Sequence, residues 1–321
     1  MTVLILARDI DPHIDRVVEE LTARDVPVFR TDLTAFPKSL MLDARLREDG
    51  WYGELANEYR SVQLSDIGAV WYRHPSHFEF PEDMSSTERR HATAEAKCAF
   101  SGTLSRLKAL WVNYPSREAD AVKPAQLDVA RECGLAVPPS LLTNKPQAVR
   151  AFAEEIGGPL AVKNLSAAAI AESGGVRVAF TRRLDGSDLD DLRGVETTAH
   201  LFQAFIEPKE FEARVTVVGE HVFAAAIHAG SDASKIDFRS DYDNLTYSAV
   251  EPPEQIIAGM LAFMRAFGLV FGCFDFAVTP AGEWVMFECN PFGAYGWLEE
   301  ALGFPISATL AGLLAEGTVH S

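Results

Sequence analysis

FGCFDFAVTPAGEWVMFECNPFGAYGW, residues 271 to 297, holds two runs of strand-forming residues, Phe271 to Val278 and Glu283 to Asn290, on either side of the turn signal Thr279-Pro280-Ala281-Gly282. Such a pattern predicts an antiparallel hairpin. If the turn is symmetric, Val278 sits opposite Glu283, Asp275 faces Met286, and Glu288 lies on the diagonal from Asp275. Paired residues share a face, as do residues two apart in a strand. One face then carries Phe274, Phe276, Val278, Val285 and Phe287, and the other carries Asp275, Glu288 and Asn290 among Cys273, Ala277, Trp284 and Met286. Diagonal neighbours lie roughly 7–8 Å apart, a spacing that lets carboxylates share cations between them. Hard cations such as Mg²⁺ take one or two carboxylates and complete their shell with phosphate oxygens. The expectation is a metal site at Asp275, Glu288 and Asn290 in a cleft lined by Trp284 and Met286; a one-residue change of register would turn that face over. The plainer alternative is a half-buried sheet whose polar side meets water.

With 321 residues the chain is long enough for two or three folding units, and 48% hydrophobic with 23% charged residues is the composition of a soluble globular protein. A formal net charge of −17 argues against sequence-independent binding to nucleic acid or to an anionic membrane, because phosphate binding needs Lys and Arg in excess. The first apolar run, Val3 to Ala7, is too short for a signal-peptide core, and no stretch of about 18 apolar residues occurs. A cytoplasmic protein without nucleic-acid or membrane partners is therefore expected. Cys98, Cys133, Cys273 and Cys289 have no CxxC spacing and read as reduced, with Cys273 and Cys289 on opposite faces of the hairpin.

From the N-terminus, Thr2 to Ala7, the amphipathic run His13 to Ala23 and Val26 to Phe29 read as strand, helix, strand, with further strands at Leu40 to Leu46 and Ile67 to Arg73. This is a small α/β unit with a mainly parallel sheet. Arg73 and His74 follow a strand's carboxyl end, where open α/β sheets bind ligands, although a surface salt bridge explains Arg73 equally well. Ser85 to Leu110 reads as one long helix, broken at Asn113-Tyr114-Pro115-Ser116. Helices are expected at Pro124 to Cys133 and Pro146 to Ile156, then a strand Leu160 to Lys163 whose lysine reads first as an edge residue. Ser166 to Gly175 is a run of small residues, either a plain hairpin loop or a mobile cover for phosphate. Neither GxxxxGK[ST] nor GxGxxG is present, so a nucleotide would be held another way. Strands follow at Leu201 to Ile206, Glu212 to Val218 and Val222 to Ile227, with Arg214 in mid-strand, where it needs a partner or an anionic ligand. Lys235 to Tyr247 reads as a polar loop containing Arg239, and helices are expected at Pro253 to Phe267 and Pro305 to Leu314.

Lys123, Lys163, the strand Phe202-Gln203-Ala204-Phe205-Ile206, Arg214, and Asp275 with Glu288-Cys289-Asn290 stand in an order that resembles the ATP-grasp superfamily. Within it, Val70-Trp71-Tyr72-Arg73, Lys123-Pro124, Phe202-Gln203, Glu212-Ala213-Arg214, Asn290-Pro291-Phe292-Gly293 and Gly296-Trp297-Leu298-Glu299 make the chain similar to the microviridin-type, or graspetide, maturases of ribosomal peptides. An acidic-Leu-Arg triplet would be the expected form where this chain has Glu212-Ala213-Arg214.

The resemblance implies an ATP-grasp fold with an N-terminal Rossmann-like (pre-ATP-grasp) domain over residues 1–116, a central lid over 117–204, and a C-terminal subdomain with the metal site over 205–321. The nucleotide cleft would lie between the two α+β subdomains. ATP would be held by Lys123, Lys163 and the hinge Gln203, Ala204, Phe205 and Ile206, and Mg²⁺, as two ions, by Asp275, Glu288 and Asn290. The partner implied is a ribosomal precursor peptide with a leader and an acidic core, and self-association into a homodimer is left open. ATP would phosphorylate an Asp or Glu side chain of that peptide, and a Ser, Thr or Lys side chain would displace the phosphate, giving an ω-ester or ω-amide. Lys163, Arg214 and Arg239 are the expected cationic groups of catalysis. Two alternatives stand beside this reading: an ATP-grasp ligase that adds a free amino acid to a small acid or protein tail, and a nucleotide-binding protein without catalysis.

Overall fold

The computed structural model describes residues 1–166, 169–172, 175–178 and 180–317, with the backbone alone for 169–172 and 175–178. Its first sheet is parallel: the strand Thr2–Ala7 lies between Val28–Thr31 and Ile67–Arg73, and Leu110–Val112 adds on beyond Ile67–Arg73. The helix Pro12–Ala23 joins the first two strands and buries Ile14, Val17 and Leu21, which recur at helical spacing on one face. Asp11 caps it, its carboxylate accepting from His13 N at 2.9 Å. A separate antiparallel meander, Leu40–Arg47, Gly50–Asn57 and Ser61–Gln63, covers this sheet through Leu40, Leu55 and Val62.

The helix Ser86–Leu104 starts with a capping box between Ser85 and Glu88, but it stops at Leu104 rather than running to Leu110. Leu107 and Leu110 keep helical spacing, yet Leu110–Val112 is taken by the parallel sheet, where it pairs with Ala69–Trp71. Tertiary pairing overrides local propensity there.

The lid is a four-stranded sheet in the order Arg182–Leu184, Leu160–Lys163, His200–Ala204, Ser140–Thr143, packed on the helix Pro146–Ile156. Lys163 thus lies on an interior strand, not at an edge. Within the small-residue run, Ala169–Glu172 pairs with Gly175–Val178 as an antiparallel hairpin; its side chains lie outside the described residues.

The largest sheet is antiparallel, in the order Leu245–Ala249, His221–Ala229, Phe211–Val218, Phe271–Val278, Trp284–Asn290. One of its faces packs Val215, Val217, Phe274 and Phe276 against Met260, Phe263 and Met264 of the helix Glu254–Phe267, in a core that also takes Ala130 from the helix Lys123–Glu132. Each such side chain contributes about 1.5–3 kcal/mol of transfer free energy. Residues 235–247 are not one loop but short helical turns, Asp232–Ile236, Phe238–Ser240 and Tyr242–Asn244, leading into the edge strand. The last helix, Ile306–Glu316, places Ile306, Leu310 and Leu314 against Ile14 and Val17, so the chain's two ends share one core. All four cysteines are free, and no described helix is long and apolar enough to cross a membrane.

Candidate active site

The hairpin forms where the sequence puts it, with a different register. Val278 pairs with Trp284, Ala277 with Val285 and Phe276 with Met286; then Phe287 is passed over, and Asp275 pairs directly with Glu288. That extra residue is a β-bulge, which reverses the alternation of faces across it. Trp284 and Met286 therefore point into the core with Phe276, contrary to the sequence expectation, while Phe287 faces the cleft. Beyond the bulge the carboxylates of Asp275 and Glu288 are directly opposite one another, closer than the diagonal relation allowed. Asn290 completes the face, its amide 3.4 Å from Asp275 Oδ2 and 3.5 Å from Glu288 Oε1. Cys273 and Cys289 fall in different cores on the two sides of the sheet.

Arg214 is the cross-strand neighbour of Asp275 on the other side, and its Nη1 donates to both carboxylate oxygens at 2.8 and 2.9 Å. Its Nη2 donates to Ala294 O at 3.1 Å, and its Nε is buried without a hydrogen-bond partner. The loop after Asn290 passes so close that a Cβ on Gly293 would lie 2.7 Å from Arg214 Nη2 and 2.5 Å from Cys273 Cβ; only glycine fits. From the other domain, Arg73 is buried and donates to Phe292 O at 2.6 Å and Gly293 O at 3.3 Å, with Asp11 as its counter-ion. It serves as a structural clamp on the loop after Asn290. Asn113 binds both ends of the hairpin: Val270 N and Phe271 N donate to its Oδ1, and its Nδ2 donates to Phe271 O and Pro291 O, all at 2.8 to 2.9 Å.

Lys123, at the start of its helix, places Nζ 3.0 Å from Glu288 Oε2 and 2.7 Å from Asn164 O. Lys163 comes from the lid, its ammonium 3.7 Å from the centre of the Phe287 ring. Both lysines thus converge on the carboxylate pair from opposite sides. Lys163, Phe287 and Glu288 line one cleft with the hinge residues Gln203, Ala204, Phe205 and Ile206. In the hinge, the N–H groups of Ala204 and Phe205 are used by Pro139 O and Pro159 O, each at 2.9 Å. Gln203 has a buried Oε1 without a partner, an acceptor suited to an amine such as that of adenine.

Electrostatics separates the two carboxylates. Burial pushes Asp275 above the ordinary carboxylate range, with Arg214 pulling against it and Glu288 adding to it. Burial opposes the charge of Glu288 too, but Lys123 and Lys163 outweigh it and draw this carboxyl down. Burial lowers Lys163 against the pull of Glu288, Glu212 and Asp275. Arg239 does not meet this group directly: its Nε and Nη2 donate to Asp237 at 2.8 and 2.6 Å, a resting ion pair. Asp237 also accepts from Thr181 N of the lid at 3.0 Å, tying lid to floor. Sequence reasoning did not single out Phe287 or the Lys209–Glu212 ion pair as cleft residues. Lys209 follows a proline and carries no periodic signal, and Phe287 is displaced by the bulge.

Among the described residues no three His, Cys, Asp or Glu side chains converge. Two carboxylates with an asparagine side chain beside them nevertheless suit Mg²⁺, whose shell is completed by phosphate oxygens and water.

A lid and a floor that each send a lysine over paired carboxylates, with a hinge strand between them, define the ATP-grasp class of enzymes. Residues 2–119 match the MvdD pre-ATP-grasp domain family. A solved RiPP-associated ATP-grasp ligase from Chryseobacterium gregarium, in complex with ADP and with leader and core peptide, is similar over 99% of this chain and 98% of its own, at 27% identity and a TM-score of 0.89. The macrocyclase MdnC from Microcystis aeruginosa, bound with the precursor peptide MdnA, is similar at 30% identity over 99% and 100% of the two chains, TM-score 0.85. The macrocyclase MdnB from the same organism is similar at 31% identity over 98% of each, TM-score 0.79. Comparison with curated protein sequences gave no match. The chain belongs to the graspetide-type ATP-grasp ligases of ribosomal peptides.

Proposed function

We propose that this protein is an ATP-dependent macrocyclase that joins acidic side chains of a ribosomal precursor peptide to its own Ser, Thr or Lys side chains. The carrying observation is the convergence of Lys123 and Lys163 on the directly paired Asp275 and Glu288, at the floor of the cleft beside the hinge strand. A carboxylate is a poor electrophile, so a peptide Asp or Glu oxygen attacks the γ-phosphorus of ATP, the bond to ADP breaks, and an acyl phosphate forms. A peptide hydroxyl or amine then attacks that acyl carbon, loses its proton, and expels phosphate. No nucleophile from the enzyme is needed, because phosphoryl transfer is governed by positioning and electrostatics.

In this scheme the hinge from Gln203 to Ile206 takes the adenine, and Lys123 and Lys163 grip the phosphates from floor and lid. Asp275, Glu288 and Asn290 would hold Mg²⁺, as two ions, which supply neutralising charge to the transferring phosphoryl group. Arg214 adds a fixed cation beside Asp275, and Arg239 is available from the Asp237 pair on the loop at the cleft. We assign 1–116 to the pre-ATP-grasp domain, 117–204 to the central unit that carries the lid sheet and 205–321 to the C-terminal unit; the helix Lys123–Glu132 of the central unit packs on the C-terminal sheet, so Lys123 reaches the cleft from the floor. A cytoplasmic location and a homodimer complete the proposal, and the C. gregarium ligase and MdnC, which carry peptides in their structures, support a peptide substrate over a free amino acid.

The test is ADP release with candidate precursor peptides, followed by mass analysis of the product. Peptide-dependent ADP formation and loss of one water per ring are expected, and base-labile rings separate ester from amide. ADP formation driven by free amino acids alone would transfer the protein to the small-acid ligases, and nucleotide binding without any turnover would make it a non-catalytic binder.

A further inference from the structure

A second cavity, of about 460 Å³, lies in the N-terminal unit and shares no lining residue with the nucleotide cleft. Its walls include Leu6 at the end of the first strand, Leu33 just past the second, Tyr72 at the end of Ile67–Arg73, and Trp111 from the fourth, and the flank is closed by Phe100 of the helix Ser86–Leu104. The carboxyl ends of all four parallel strands therefore meet there. The sheet grows outward in both directions from Thr2–Ala7, and the order reverses between that strand and Ile67–Arg73, where Leu6 pairs with Tyr72. Open α/β sheets bind their ligands at such a switch point, and the volume is that of a small-ligand site.

Its chemistry is one-sided. In a chain of net charge −17, the lining contains Lys97, His74 and His77 but no Asp or Glu. Lys97 makes no ion pair among the described residues, and the rest of the wall is mainly aromatic and aliphatic. Charge complementarity selects an anion, and the walls select a ring-sized apolar body attached to it. The cavity is also joined to the reaction loop. His74 holds a left-handed backbone, φ 46°, a conformation that a non-glycine residue rarely adopts. Its ring packs edge-on against Phe292 with centroids 3.7 Å apart, two residues from Asn290.

We infer that this cavity is a second subsite, for an aromatic side chain next to a carboxylate, presented by the acidic peptide on which the cleft acts. The choice of peptide as bearer rests on the ligase reading above; the cavity and its preference do not. The probes are 3-phenylpropionate and the blocked peptide acetyl-Phe-Glu-Phe-Asp-amide, with 3-phenylpropionamide and acetate as controls, measured by ligand-observed NMR on the full chain without nucleotide or turnover. Lys97 and Ser101 are exposed on the helix at the cavity, so Lys97→Glu and Ser101→Trp leave the core intact, checked by melting temperature.

Both phenyl-bearing acids should bind, the amide control and Lys97→Glu should each weaken binding by about tenfold, and Ser101→Trp should abolish it. Binding that is indifferent to the carboxylate, or unchanged in both variants, overturns the site. Binding of 3-phenylpropionate without the blocked peptide overturns the peptide assignment and gives the cavity to a free aromatic acid. Failure of ADP release with precursor peptides would refute the ligase reading while leaving this binding result standing.

Discussion

Replacing Glu118 by Gln removes a carboxyl whose charge is opposed by burial. Glu118 lies on the short helix Pro115–Asp120, and its Oε1 is buried with no hydrogen-bond partner. Burial pushes its pKa from an ordinary 4.5 up to about 8, with Asn113 and Arg73 pulling back only in part. A carboxyl raised on folding keeps its proton in the native state over a window in which the unfolded chain has lost it. Its contribution to stability is therefore complete below about pH 4.5, falls by about 1.4 kcal/mol per pH unit, and is gone above about pH 8, roughly 5 kcal/mol in all. Gln keeps the shape and cannot ionise. Compared by urea unfolding at about pH 5 and about pH 8.5, the variant should be close to the parent at the lower pH and more stable by several kcal/mol at the higher. A difference between the two proteins that stays constant across this window would refute the raised carboxyl, since a merely lost or gained packing contact does not titrate.

Glu288→Gln should remove peptide-dependent ADP formation while the melting temperature stays near the parent's, and near-normal turnover would sink the metal assignment. Asp275→Asn should abolish turnover as well, but it also leaves Arg214 without its buried counter-ion, so a stability loss of about 3–5 kcal/mol is expected in urea unfolding. Lys123→Ala and Lys163→Ala should each weaken ATP binding by roughly ten- to a hundredfold, the worth of a charge-assisted hydrogen bond, in calorimetry; unchanged affinity in both would place the nucleotide elsewhere. Arg214→Lys should fail in single-turnover acyl-phosphate formation almost as badly as Arg214→Ala, because an ammonium cannot reproduce the planar fork. Full activity of the Lys variant would reduce Arg214 to a point charge.

The sequence reading located the hairpin and the neighbouring strands and helices, because periodicity and turn chemistry act locally, whereas the roles given to the two lysines and the hinge strand came from the family resemblance and not from any local pattern. It misassigned the faces of Trp284, Met286 and Phe287, since a bulge is a property of two strands together and leaves no mark in either one alone. Arg214 was seen to need a partner; Asp275 is that partner only because Phe211–Val218 lies next to Phe271–Val278, a neighbour relation that no spacing reports. Arg73 read equally as a ligand group at a strand end or as a salt-bridge partner, and the structure pairs it with Asp11 while spending it on Phe292 O and Gly293 O, 219 and 220 residues away. Leu110 fitted a helix until a sheet edge claimed it.

Asn113 follows the last strand of the parallel sheet, yet its whole amide is used by backbone groups at both ends of the hairpin Phe271–Asn290. Anyone building chimaeras from two members of this family therefore faces a seam that does not fall at the boundary of the sheets. A donor N-terminal unit brings its own residue at this position, and the recipient hairpin accepts it only if the backbone at 270, 271 and 291 meets the side chain in the same place. Grafts that carry residues 110–122 together with the C-terminal half keep that joint intact, whereas a cut just before Asn113 on one side and after it on the other leaves the backbone at residues 270, 271 and 291 without its anchor.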